Sequence, residues 1–129
     1  MNLELTKEYT TREVEVALKQ MKPISAPRLD DMPPIFFKNY WNTVGHDVIS
    51  ATLSALNSGT IPPNINQTFI SLIPKTKSPE IAKDFRPISL CNVTYKLISK
   101  TIANRLKKCF PKIVSESQGA FLSNRLITR

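Results

Sequence analysis

The sequence predicts an α+β chain: a helical first half, then a β-hairpin and a long helix. Three observations predict it. Apolar residues recur at helical spacing between Thr10 and Asn57, the pattern changes at Gln67 into two short extended apolar runs, and helical spacing returns after Asn92. With 129 residues, the chain can bury roughly two-thirds of its unfolded surface, which suffices for a small core. It divides into a helical segment, 1–65, and a hairpin-plus-helix segment, 66–129.

Thr10 followed by Glu13 is a capping-box pattern, and Val14, Ala17, Leu18 and Met21 follow at i, i+3, i+4, i+7, so a first helix is expected over 11–21. The proline-rich PISAPRLDDMPP that follows reads as a loop, and Pro34 suits the first turn of a second helix, IFFKNYWN. Gly45 breaks the pattern. A third helix is expected from His46 to Asn57, with Ile49, Leu53 and Leu56 inward and Gly59 as its cap. QTFISLIPK is apolar on both faces and reads as a strand covered on both sides and ended by Pro74. After the linker TKSPEIAKD, FRPISL reads as a second strand that, because Pro87 cannot donate a ladder hydrogen bond, lies at an edge or begins near the proline. Asn92 is an N-cap for a helix to about Phe110, with Ile98, Ile102, Leu106 and Cys109 on its inner side and Pro111 as its stop. SESQGAFLSNRLITR has no clear period and reads as loop with a short strand or turn.

Composition excludes several function classes. No apolar run reaches the length of a membrane span, and the polar N-terminus is unlike a signal peptide, so an intracellular location in nucleus or cytoplasm is expected, with no membrane partner and no secretion. Cys91 and Cys109 have no CxxC spacing and the single histidine, His46, is remote, which leaves a structural zinc site without ligands and makes free buried thiols the expectation.

Charge is unevenly placed. Residues 1–65 carry 6 Lys+Arg against 7 Asp+Glu, whereas residues 66–129 carry 12 against 3, a net of +9. A one-sided basic surface attracts phosphate polyanions through counterion release, although the same charge also serves simply to keep a protein soluble. In an antiparallel hairpin, Lys75 leaves the first strand and Arg86 joins the second at the same, loop-side end. Two converging cations suit a triphosphate or a nucleic-acid backbone; the alternative is ordinary surface charge flanking a turn. On the long helix, Lys96, Lys100, Asn104 and Lys107 follow at steps of four, four and three.

The run NQTFISLIPKTKSPEIAKDFRPISLCNVTYKLISKTIANR, residues 66–105, resembles the fingers block of reverse transcriptases from plant LINE-type, non-LTR retrotransposons. LIPK, DFRPISL, YKLISK and ANRL stand in the family's order. Upstream, TTREVEVALKQM, SAPRLDDMPPIFF and YWNTVGHDV are similar to its N-terminal extension, and downstream SESQGAFLSNRLIT is similar to its next block, so the resemblance covers about residues 10–128.

The resemblance implies a right-hand polymerase that copies RNA into DNA, with this chain supplying fingers and extension and lacking the palm. It implies that Lys75 and Arg86 contact the incoming deoxynucleotide triphosphate, and that Lys96, Lys100, Arg105, Lys107, Gln118 and Arg125 lie near an RNA template or DNA primer. The family's aspartate-bearing blocks would come after residue 129, so no catalytic or metal-binding residue is expected here. Magnesium would belong to the complete enzyme, not to this fragment, and a separate palm segment would be a partner. Asp30-Asp31 lies between prolines without strand-like flanks and does not fit a metal-clamping pair. Arg28 and Asp31 stand where the family's loop has glycines, and Asn124 where a glycine precedes the arginine, departures that imply a decayed copy, inactive alone. Without a palm, apolar finger side chains would be left bare. A non-catalytic basic RNA- or DNA-binding module is the competing reading, and an unfolded translation product a third.

Overall fold

The computed structural model describes residues 2–24 and 30–115. In chain order these form α1 (Asn2–Leu5), α2 (Thr11–Lys19), α3 (Pro34–Asn39), α4 (Trp41–Ser58), β1 (Thr68–Pro74), β2 (Phe85–Cys91) and α5 (Val93–Ile113), with 3-10 turns at Pro63–Asn66 and Ala82–Asp84. The chain is α+β, as its periodicity predicts. Among the described residues, no helix is long and apolar enough to cross a membrane.

Helix α2 starts where the Thr10–Glu13 pattern places it. The Glu13 carboxylate accepts hydrogen bonds from Thr10 N at 2.9 Å and Thr10 Oγ1 at 3.1 Å, satisfying a backbone donor that a helix start leaves orphaned. Its apolar stripe, Val14, Ala17 and Leu18, is buried against α5 and α4. At the other end, the Lys38 ammonium donates to the carbonyls of Lys19, at 3.3 Å, and Met21, at 2.6 Å. A cation on the final carbonyls of α2 both caps that helix and fastens α3 to it. Ala17, Leu18, Phe37, Val93 and Leu97 form the core, flanked by Met21, Phe36, Trp41, Val44 and Val48.

Gly45 does not break the third helix, which runs without interruption from Trp41 to Ser58. The glycine is a packing device. A Cβ there would lie 2.9 Å from Trp41 Cδ2 and Cε2, so the absent side chain is what lets the indole lie along its own helix. The buried positions of α4 are Gly45, Thr52 and Ala55, with Ile49, Leu53 and Leu56 only half-buried. Gly59 does cap α4: at φ +71° its N–H donates to Ala55 O at 3.1 Å, in a conformation that costs glycine nothing.

Helix α5 opens at Asn92, whose Oδ1 accepts from Tyr95 N at 2.9 Å while its Nδ2 donates to Ile65 O at 3.1 Å, tying the helix start to the turn that leads into β1. Its inner face is only partly the predicted one: Ile98 and Cys109 are buried as expected. Val93, Leu97, Ile98, Thr101, Arg105 and Cys109 are buried, whereas Ile102 and Leu106 are exposed. The buried Thr101 hydroxyl is satisfied by Leu97 O at 2.7 Å. Nor does Pro111 stop the helix. It sits in the last turn, where the one helical hydrogen bond it removes would have gone to the carbonyl of exposed Lys107, within reach of water.

β1 and β2 pair antiparallel, with Phe69 opposite Leu90 and Ile73 opposite Arg86. The expectation that both faces would be covered is overturned. Phe69, Ile70, Leu72, Ile73 and Ile88 are all 41–66% exposed. Of the two cysteines, Cys109 is buried as expected and Cys91 only half-buried; both are free.

Gly45→Ala should lower stability by about 1 kcal/mol: overpacking costs about 1–3 kcal/mol, which outweighs the roughly 1 kcal/mol of helix propensity gained over glycine. Thermal melts followed by circular dichroism check this, and a raised Tm would contradict the packing role.

Candidate nucleic-acid interface

The loop joining the strands is organised by Asp84. Its carboxylate accepts from Glu80 N at 3.1 Å and Ile81 N at 3.2 Å, and its carbonyl accepts from Lys75 N at 2.7 Å, one step past the Pro74–Phe85 pair. Lys75 and Arg86 therefore stand at the same end of the hairpin. Strand alternation puts Arg86 on the face of its partner Ile73, and Lys75, two residues beyond Ile73, follows on that face. Both side chains are exposed, and the Lys75 ammonium donates to Lys83 O at 2.7 Å. Lys77 and Lys83 are exposed on the same loop.

Arg105, another cation named from sequence as lying near nucleic acid, is turned inward. Nε donates to Glu13 Oε1 at 2.7 Å, one terminal nitrogen to the carbonyls of Leu5 and Lys7, and the other to Glu8 O at 2.8 Å and Glu13 Oε2 at 3.0 Å. All five guanidinium donors are thus engaged within the protein. The guanidinium carbon lies 3.7 Å from the centre of the Tyr9 ring, adding a cation–π contact. Tyr9 N in turn donates to Asn57 Oδ1 at 2.8 Å, so the segment leading into α2 is clamped between α5 and the end of α4. No donor is left for a phosphate.

This clamp perturbs both partners. The Arg105 hydrogen bonds hold the Glu13 carboxyl below its usual range, against a desolvation that pushes the other way, and Glu13 raises Arg105.

The remaining α5 lysines behave differently. Lys96 and Lys100 are half-buried at the edge of the inner face, with Lys100 on the wall of a cleft between α2 and α5; Lys107 is exposed on the same wall. Gln118 and Arg125 lie outside the described residues. Sequence reasoning passed over Arg12 and Lys108, which share the cleft with Lys100, Asn104 and Lys107. Arg12 was hidden by the net negative charge of its half, and Lys108 lies one position beyond the run of steps that singled out Lys107.

The residues do not fit a catalytic magnesium. Among the described residues, no group of three or more His, Cys, Asp or Glu side chains is placed to hold a metal ion. Asp30 and Asp31 are exposed in a turn where Asp30 Oδ1 accepts from Met32 N at 3.2 Å. Asp31 adopts φ +49°, the left-handed geometry its glycine-like position in the sequence implies.

Fold and site define a basic α+β segment with cations at a hairpin tip and along a helical cleft. No family model matches it. Over 118 residues it is 30% identical to the transposon TX1 uncharacterized 149 kDa protein of Xenopus laevis, a match covering 92% of this chain and 9% of that protein. The chain is thus a homologue, at low identity, of a transposon protein and spans less than a tenth of that relative's length.

The Glu13 shift carries a pH dependence. A carboxyl depressed in the folded state contributes stability above its unfolded pKa and loses it as pH falls through the folded one. The Tm gap between wild type and Glu13→Gln should therefore narrow as pH drops below about 4.3, the unperturbed glutamate value. A gap constant from neutral to acid pH would contradict the assignment. Arg105→Ala, which strands Glu13 and three carbonyls, should cost about 3 kcal/mol in urea denaturation.

Proposed function

We propose that this chain is a fingers segment of a retrotransposon RNA-directed DNA polymerase, in which Lys75 and Arg86 hold the triphosphate of an incoming deoxynucleotide. The observation that carries the reading is the antiparallel register, which brings LIPK and DFRPISL together with both cations at the loop end. Similarity to a transposon protein over 92% of the chain supports the retrotransposon origin. An ammonium and a guanidinium on a short hairpin supply several donors to dispersed phosphate charge, and the Asp84-organised loop fixes where the two strands meet. RNA template and DNA primer are the macromolecular partners this reading requires, and a palm segment its catalytic partner. Phosphoryl transfer requires metal-bearing carboxylates, and the described residues bring no such group together, so on this reading catalysis belongs to the palm segment. The second reading, a basic nucleic-acid-binding module with no polymerase to serve, draws on the same exposed cations.

Titration calorimetry with deoxyadenosine triphosphate separates the two. Lys75→Glu with Arg86→Glu should weaken triphosphate binding by tenfold or more, since each charged hydrogen bond contributes about 1.5–3 kcal/mol. Unchanged binding, or none in the wild type, would remove the nucleotide role and leave the module. Primer extension by the 129-residue chain alone should give no cDNA.

A further inference from the structure

The hairpin presents two edges, and they differ in their ability to take another strand. Lys75 N donates to Asp84 O at 2.7 Å, which makes Lys75–Asp84 a hydrogen-bonded pair of the antiparallel ladder. Such pairs fall at every second position, so Ile73–Arg86, Ser71–Ile88 and Phe69–Leu90 also bond across the hairpin. Thr68, Ile70, Leu72 and Pro74 on β1, and Phe85, Pro87, Ser89 and Cys91 on β2, therefore turn their backbone groups outward. Both prolines fall where a missing N–H leaves the hairpin ladder intact. The outer edge of β2 is weakened by it: Pro87 has no donor in mid-strand and Phe85 N donates to Ala82 O, so only the outward N–H groups of Ser89 and Cys91 remain. Along β1, Thr68, Ile70 and Leu72 keep donors at alternate positions, and no described strand pairs with them.

β1 is also undefended. Native edges carry charge, proline or a covering element against pairing with another chain. β2 has Arg86 and Pro87 inside the strand, whereas TFISLIP has no charged residue and its one proline comes last. Phe69, Ile70 and Leu72 are each more than half exposed. An uncharged, apolar, half-bare strand with its donors free is a template for a strand of like kind.

The sequence of β1 is complementary to itself. Set antiparallel to a second copy with Ile70 on the two-fold axis, Thr68 stands opposite Leu72 and Phe69 opposite Ser71, so each Phe69 ring has a small side chain beside it. Each outward donor of one copy then meets an outward carbonyl of the other, and Pro74 ends the ladder. Charge selects the same arrangement. The loops, with Lys75, Lys77 and Lys83, point away from each other, and the two Lys75 residues stand about 34 Å apart at about 3.4 Å per residue, far beyond the ~8 Å screening length. Parallel pairing would set those basic loops side by side. Covering this edge and its side chains buries on the order of 1,000 Å² over both copies, the lower bound for a specific interface, so the contact is weak and reversible.

We propose that β1 is a self-pairing edge through which two copies of this chain form a four-stranded antiparallel sheet in the order β2–β1–β1–β2, with Ile70 on the two-fold axis. The outer edges of that sheet are the two β2 strands, whose Pro87 blocks further addition, so assembly closes at two. The pairing does not rest on the triphosphate reading: both Lys75–Arg86 tips stay exposed, at opposite ends of the sheet.

Sedimentation equilibrium of the 129-residue chain, at concentrations from about 5 to 200 µM, tests the pairing. The wild type should pass reversibly from monomer to dimer and stop there; monomer throughout, or growth beyond the dimer, would overturn the proposal. Ile70→Lys should weaken the dimer about tenfold or more, because it sets two ammonium groups directly opposite each other at the axis. Ser89→Lys adds the same charge to the same face but on the outer strand, about 14 Å from its counterpart, and should leave the dimer within about threefold of the wild type. An equal loss at both positions would mean that the apolar faces stack, and would overturn edge pairing. Amide hydrogen exchange on the wild type does not depend on a variant's folding: raising the concentration should slow exchange at Ile70 and Leu72 and leave Ser89 unchanged. No slowing at Ile70, or slowing at Ser89 alone, would overturn the proposal whatever the variants do.

Discussion

One guanidinium holds the N-terminal segment, α2 and α5 together. Arg105 engages three backbone carbonyls of residues 5–8, both oxygens of Glu13 and the ring of Tyr9, joining parts of the chain about a hundred residues apart. A buried charge is tolerated only when paired and fully hydrogen-bonded, and here every donor has a partner. Glu13 serves twice, capping α2 through Thr10 and neutralising Arg105, so the start of the helix and its docking on α5 are fixed by the same carboxylate. Lysine could not replace Arg105, because a compact ammonium lacks the planar fork that reaches five acceptors at once.

That interaction also explains which parts of the fold were legible. Ends marked by local chemistry were read directly: the Thr10–Glu13 start, the left-handed Gly59 cap, the Asn92 cap and the end of β1 at Pro74. The inner face of α5 was misread in part. Apolarity rightly picks out Ile98 and Cys109 but also Ile102 and Leu106, which are exposed, whereas Leu97, Thr101 and Arg105, each one position before a predicted residue and two of them polar, are buried. Their partners, the Leu97 carbonyl and the residues around Tyr9, are settled by tertiary structure, which hydrophobic spacing does not report. Gly45 and Pro111 were read as breaks for a related reason. Their local penalties are real, but one is offset by an indole that needs the space and the other falls where the lost bond faces water.

The observed inner face of α5 also determines what its cations can do. Lys96, Lys100 and Asn104 each precede a residue of the buried row, so they flank the core at the α2 boundary and do not stand free on the outer surface. The charge asymmetry pointed to a polyanion partner, but tertiary structure sets where the cations stand, with Arg105 bonded internally and Arg12, from the acidic half, lining the α2–α5 cleft. The hairpin stands apart from this arrangement. Its strands pair chiefly with each other, leaving apolar side chains bare and the Lys75–Arg86 tip exposed.

The most direct measurement is a double-mutant cycle in urea between Glu13→Gln and Arg105→Met, read as the coupling free energy of the pair. If this ion pair joins α2 to α5 as described, the two substitutions are strongly non-additive, with a coupling of at least about 1.5 kcal/mol at neutral pH. A coupling near zero would contradict it and return Arg105 to the surface as a candidate phosphate contact.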